Sequence, residues 1–278
     1  MTPSVTPSAT PSATPSAMTT TLFPPIRSDV AYLETLTDEE LAVLGGEDPL
    51  AVRPFYDELP PTAQEVAKQV AFRGLLARGI VDPPSAEAVG SARDRGGSPD
   101  LAVDVMVRED VQSLVELRRG SPMLVALART TSEGHDYWYA YLFDDMALIE
   151  EITETGVHRF SLIHGDQLLD LLVAAAVHPA AADAAGEPVR MPDDVEGRPT
   201  APVLQTLGQA LLRADLVVRH RDEVAPQIVG LFTGPSGSWL VTHRGAEPSI
   251  AVPMAAEQLR EQVRATVREA WEPVGRRG

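Results

Sequence analysis

Between Pro122 and Ala176 the spacing of apolar positions reads as short strands closed by a helix. The run SPMLVALARTT is followed by a polar turn, then by DYWYAYLF, an acidic turn, MALIEEIT, GVHRFSLI and the apolar segment DQLLDLLVAAA. Short β-branched and aromatic runs separated by turn residues predict an antiparallel meander; the Leu- and Ala-rich run, with Asp166 as its N-cap, predicts a helix. The C-terminal quarter repeats this outline as APQIVGLFTG, the turn PSG, SWLVTHR, PSIAV and the helix MAAEQLREQVRATV. In the alignment Pro122 falls on Pro226, Met123 to Leu127 on Gln227 to Leu231, Trp138 on Trp239, and the strand of Phe160 and Leu162 on that of Ile250 and Val252. Upstream, LAVDVMVRED resembles ADLVVRHRDE, and helix-like stretches at 62–79 and 202–213 precede the two copies. The first copy carries LVELRR and the strand Met146 to Thr153 as extra matter. Two such units, each with one apolar sheet face, are expected to pack into one core. The fold class is therefore α+β, two quasi-equivalent halves of helix, antiparallel β-meander and helix around a central sheet. A chance likeness of β patterns is the alternative.

Other boundaries follow from local signals. Residues 1–21 open with TPSV and three copies of TPSA, without charge or an apolar run, and are expected to be a disordered tail. They lack the basic start and apolar stretch of a signal peptide, and Met18 offers a second start. Ser28 and Asp29 precede a short expected helix. Thr37 and Glu40 have capping-box spacing before LAVL, which Gly45-Gly46 stops. Thr62 and Glu65 form a second such box, opening a helix in which Val66, Val70 and Leu75 are spaced for one face and which Gly79 ends. Residues 81–100 are rich in turn formers, and 179–201, rich in Ala, Pro and Asp, read as a linker. The expected organisation is one domain over 22–278, with pseudo-repeats at about 62–178 and 202–272 joined by that linker.

Composition changes this picture mainly by exclusion. The formal charge is −17, from 23 basic and 40 acidic residues, so phosphate backbones and anionic lipid are repelled and nucleic acid is not an expected partner. The chain has no cysteine, which removes disulfides, thiol nucleophiles and cysteine-ligated metal, and fits a cytoplasmic location. Lys68 is the only lysine, and the Ala and Arg usage is that of a GC-rich bacterial genome. Leu168 to Val177 is about half of the ~20 apolar residues that cross a bilayer, so no membrane insertion is expected.

Candidate chemistry is sparse. GPSGS at 234–238 fails the nucleophile-elbow pattern at Ser238 and joins strand to strand, so Ser236 is read as a hairpin residue. His158 and His164 lie on one strand near Asp144, Asp145, Glu150 and Glu151, yet residues six apart on a strand are roughly 20 Å apart. They are expected to be solvated strand ends, with Asp144-Asp145 a hairpin turn. No phosphate-cradling glycine motif occurs, so no cofactor and no metal are expected. Tyr137, Trp138, Tyr139 and Tyr141 alternate along one strand, placing Trp138 in the core and the tyrosines on a covered second face or a binding surface.

Taken together, the helix ending in RGLLARGIV, the segments VDVMV and PMLVALART, the pair WYAYL and GVHRFSLI, and above all APQIVGLFTGPSGSWLVTHRGAEPSIAVPMAAEQL carry a resemblance. Over about residues 30–272 the chain resembles the EspG family, cytosolic chaperones of the type VII (ESX) secretion systems of actinobacteria. The turn PSG stands where that family commonly has an acidic turn. The resemblance implies two α/β halves about a twisted central sheet and a non-enzymatic chaperone or adaptor. Its protein client would be a helical secretion substrate of PE–PPE type or an equivalent. In such chaperones hairpin loops of the sheet help cradle the client. The polar turn TSEGHD at 131–136, expected to be a mobile surface loop, then makes Ser132, Glu133, Gly134 and His135 the partner-binding candidates. A ligand- or protein-sensing regulatory module unrelated to secretion is the alternative function.

Overall fold

Apolar residues along the strand segments place the sheet between cores on its two faces, and antiparallel pairing joins ten strands into one sheet. The computed structural model describes residues 31–45, 51–83, 106–191, 202–221, 226–242 and 248–271. The strands are β1 (Ala31–Thr37), β2 (Met123–Thr131), β3 (Gly134–Leu142), β4 (Met146–Thr153), β5 (Val157–His164), β6 (Val189–Arg190), β7 (Leu212–His220), β8 (Gln227–Gly234), β9 (Gly237–Thr242) and β10 (Ile250–Met254). Their order is β1-β5-β4-β3-β2-β7-β8-β9-β10-β6, and every pairing is antiparallel. Read outward from the β2–β7 junction, the two sides run through the same sequence of meander strands and end on a strand contributed from outside the meander.

Six helices are described: α1 (Asp38–Val43), α2 (Pro61–Ala77), α3 (Glu109–Gly120), α4 (Gly165–Ala176), α5 (Pro202–Leu207) and α6 (Ala256–Trp271). On one face, α4 and α6 cover strands of both halves: Val125, Leu127, Trp138 and Leu142 share a cluster with Leu216, Val218, Leu231 and Leu240. The buried stripe of α6, Leu259, Val263 and Val267, has the spacing of one helix face. On the other face α1, α2 and α3 cover the first half, where Leu36, Leu75 and Leu114 meet Leu124, Tyr141, Leu148 and Phe160. The second half carries a smaller cluster there, in which Val203 and Leu207 of α5 meet Ala251.

Several expectations change. The repeat alignment is one strand out of phase over its first strands, because β2 is matched across the junction by β7, β3 by β8 and β4 by β9, while β5 and β10 fall together as aligned. The strand Met146–Thr153 is therefore no extra insertion, and LVELRR lies in α3. Trp138 on β3 faces the cluster under α4 and α6, whereas Trp239 on β9 faces the opposite side of the sheet, so the two are not equivalent. Where a short helix was expected after Asp29, the chain forms edge strand β1, paired with β5 through a bulge at Leu33. The Thr37–Glu40 capping box is formed, but α2 starts at Pro61 after an N-cap Pro60 without side-chain capping, and Val66 and Val70 are exposed. Helix α5 is six residues long, and β7 already begins at Leu212. Within the expected linker, Val189–Arg190 pair with β10, and Ala182 N–H and Ala184 N–H donate to Gly234 and Met254 carbonyls. The expected tail at 1–21, Ser28 and Asp29 themselves, and most of 81–100 lie outside the described residues, as does 192–201.

Candidate functional site

Three hairpin turns meet at one end of the sheet. Register places Thr131 opposite Gly134, Asp136 opposite Thr153, and Leu212 opposite Thr233, so the β2–β3, β4–β5 and β8–β9 turns share that end. The β2–β3 connection is not a long loop. The strands run to Thr131 and from Gly134, leaving the two-residue turn Ser132–Glu133, while Gly134 and His135 belong to the ladder. Gly134 holds φ +139°, a region L side chains rarely enter. The turn is tied locally: Glu133 N–H donates to Thr131 Oγ1 at 3.1 Å, and Thr130 Oγ1 lies 2.9 Å from His135 Nδ1. In the β8–β9 turn Ser236 Oγ donates to the Gln209 carbonyl, which anchors it between strands, as its glycines implied. Leu211, an exposed apolar residue, sits beside Gly234 at the same end.

From these turns a continuous surface runs down the face opposite α4 and α6. Register aligns His135, Thr130, Arg213, Phe232, Trp239 and Pro253 in one row across six strands. Below it lie Tyr137, Ala128, Asp215, Gly230 and Val241, and then Tyr139, Ala126, Val217 and Ile228. Ala126, Ala128 and Gly230 carry little or no side chain, so the middle of this face is low. Tyr139 on one side is buried beneath the first half's helices, and Phe232 and Trp239 on the other pack toward α5. Ile228 is 43% exposed although β8 is an interior strand, a position that a covering layer normally buries. Arg213 stands 5.5 Å over the Phe232 ring, and among the described residues Trp239 Nε1 and Arg219 Nε are buried without hydrogen-bond partners. The arrangement suits an apolar or aromatic contact with a few polar donors at its edge.

The densest polar chemistry is sealed in the first half. His158 and Glu150, expected at solvated strand ends, are fully buried with Asp38, and Arg118 is nearly so. His158 Nδ1 lies 2.6 Å from Glu150 Oε1, and its Nε2 lies 2.5 Å from Asp38 Oδ1. Glu150 also accepts from Arg118 Nε and Nη2 and from Tyr141 Oη. Burial opposes the ionised Glu150, but Arg118 and His158 outweigh it and hold the carboxyl down at about 2. Burial likewise opposes a charged His158, and the hydrogen bonds to Asp38 and Glu150 overcome it, raising its pKa. Burial pushes the Tyr139 phenol up to about 12. Because the imidazole stands between the carboxylates, their oxygens do not converge, and among the described residues no His, Asp and Glu group is arranged to hold a metal ion. By contrast His164 is exposed at the start of α4, and Asp144–Asp145 form the expected β3–β4 turn.

Of the sequence candidates, Ser132, Glu133 and His135 are exposed together at the turn end, with Gly134 shaping the turn. Sequence reading missed the row across the sheet, because its members come from strands whose register cannot be read locally. No helix among the described residues is long and apolar enough to cross a membrane. No family model and no curated protein matches the chain. Among solved structures the chain is similar to the Mycobacterium tuberculosis type VII secretion system chaperone EspG5 in complex with a PE25–PPE41 dimer. Identity is 14%, 72% of this chain and 93% of that chain are covered, and the TM-score is 0.42. The α+β assignment rests on the strand register itself.

Proposed function

We propose that this chain is a non-catalytic chaperone or adaptor of a type VII secretion system. It holds a helical secretion substrate, of PE–PPE type or an equivalent, on the open face of its sheet. The observation that carries the reading is the exposed Ile228 on an interior strand, within a low surface of Ala126, Ala128, Val217 and Gly230. A sheet face of this kind is completed by a helix, and here the described helix layer over the second half is the short α5. The nature of the client comes from the sequence resemblance to EspG chaperones. The turn residues Ser132 and Glu133, with Gly134 and His135 behind them, form the upper contact, since His135 heads the row that contains Phe232 and Trp239.

The experiment is co-expression of the full chain with a tagged PE–PPE pair from the same genome. Ile228→Asp places a charge in the contact and is expected to abolish capture while circular dichroism and melting stay close to wild type. Ser132→Arg with Glu133→Arg is expected to weaken capture about tenfold, the equivalent of ~1.4 kcal/mol. Undiminished capture by folded Ile228→Asp sinks the proposed surface. Failure of the wild-type chain to capture any helical secretion substrate from its own cells sinks the proposed function.

A further inference from the structure

The buried cluster around His158 ties the helices α1 and α3, which no backbone ladder joins to the sheet, to the neighbouring strands β4 and β5. Asp38 lies at the start of α1, Arg118 on α3, Glu150 on β4 and His158 on β5. Asp38 Oδ2 accepts the N–H groups of Phe55 and Tyr56, both at 2.9 Å, while Oδ1 faces His158. One carboxylate thus holds the turn at 51–57 and α1 against the sheet. Its own N–H donates to the Gly156 carbonyl, and a Cβ at Gly156 would lie 2.5 Å from Asp38 Oδ2, so no larger residue fits there.

Both imidazole nitrogens face carboxylate oxygens at hydrogen-bonding distance. A neutral ring has one N–H and would turn a lone pair on the second oxygen; only the imidazolium donates to both. Two carboxylates, one guanidinium and one imidazolium then sum to zero, which a buried charge cluster requires. The surrounding groups leave that balance unchanged. Glu40 of α1 is paired with Arg78 at 2.9 Å, Tyr141 Oη donates to Glu150, and Tyr139 Oη accepts from Val52 N–H. Tyr56 is held through its N–H, and Phe160 stacks on the His158 ring at 6.3 Å between centroids.

We propose that Asp38, His158, Glu150 and Arg118 form a charge-balanced clamp that fastens α1 and 51–57 to the sheet and releases them as a unit when the imidazolium loses its proton. The layer of α1 and 51–57 is thereby a detachable strap on a sheet that keeps its ladder, the β1–β5 pairing included. The upward shift of His158 agrees with this sense. Its contribution is complete below the ordinary histidine value of about 6.5 and is lost as pH rises through the folded value.

The test uses the full chain. Nitrogen-detected NMR of the imidazoles at about pH 7.5 is expected to show His158 protonated at both nitrogens. A neutral single tautomer for His158 overturns the proposal. Hydrogen exchange, corrected for its intrinsic pH dependence, is then followed upward in pH. Amides in 38–45 and 51–57 are expected to lose protection by about tenfold per pH unit once the folded value is passed, while those of β1, β2, β3 and β7 hold. Loss spread evenly over the sheet overturns the strap. His158→Gln, if folded, is expected to show the loosened 38–45 and 51–57 already at neutral pH with no further pH dependence, and a variant as protected as wild type counts against the clamp. If it does not fold, the two wild-type measurements decide.

Discussion

Glu150 occupies a strand position whose neighbours two residues away, Leu148 and Ile152, are core, and it keeps its charge there only because Arg118 and His158 surround it. Removing the carboxylate leaves two buried cations opposed by Asp38 alone. Glu150→Ala is therefore expected to cost about 3–5 kcal/mol in urea unfolding, the range for breaking a buried ion pair. The acid limb follows from sign. A carboxyl held at about 2 contributes stability that is complete above the ordinary carboxylate range and lost as pH falls through that range toward the folded value. The urea midpoint should thus drop steeply from about pH 5 to pH 2, more gently in a Glu150→Gln variant that folds; equal slopes would remove Glu150 as the source. The sequence signal for this cluster was a Glu at a core-parity position in MALIEEIT. Its cation Arg118 lies 32 residues away, and Asp38, which completes the cluster through His158, lies 120 residues from that histidine, so nothing local said whether that Glu was solvated or enclosed. The tryptophans teach the same point. Trp138→Ala should cost about 3–5 kcal/mol and half-buried Trp239→Ala clearly less, because one fills the core under α4 and α6 and the other lies beside α5. Equal losses would return them to the equivalent places that their sequence context suggests.

Hairpins and helix ends show which features of an element are written locally. The Thr37–Glu40 capping box and the stop at Gly79, φ +65°, were legible because both depend on residues within one turn of helix. The length of the β2–β3 turn was not. TSEGHD is polar because that end of the sheet is wet, yet the ladder continues through it, helped by the cross-strand pair in which Arg129 donates to Asp136 at 2.5 and 2.8 Å. Polarity reports solvent, and pairing reports register. A deletion of 132–135 would therefore remove two ladder residues along with the turn. Point changes separate the roles. Ser132→Ala and Glu133→Ala should leave stability within about 0.5 kcal/mol, whereas Gly134→Val, forced to φ +139°, should cost about 1–3 kcal/mol by thermal melting. A Gly134→Val variant as stable as wild type would mean that the strand start is not held in this conformation.

At the scale of the molecule, the two meanders meet at β2 and β7, which pair from Met123 opposite His220 to Thr130 opposite Arg213. On the face under α4 and α6 the apolar cluster crosses this junction without a break, since Val125 and Leu127 share it with Leu216 and Val218. The two helices bind each other as well: Trp271 of α6 lies so close to Gly165 of α4 that a Cβ there would be 2.3 Å from the ring, and Arg264 reaches Asp170 at 3.3 Å. The repeat in the sequence suggested two halves, and its first strands were out of phase because β2 and β8 are both Pro-led apolar strands, while β2's topological counterpart β7, which also follows a helix end, lacks that proline. What the halves share is the junction. A chain divided inside 192–201 would expose a long unpaired apolar strand edge on each fragment and uncover half of a common cluster. Produced separately, the fragments are expected to aggregate or to lack cooperative unfolding; co-expressed, they should assemble into a one-to-one complex that runs as the intact chain on size exclusion. Gly165→Ala should weaken that assembly more than it weakens either fragment, because the methyl meets a ring from the other half. Two fragments that each stay soluble, monomeric and cooperatively folded would show that the β2–β7 junction is an interface between independent domains and not the centre of one sheet.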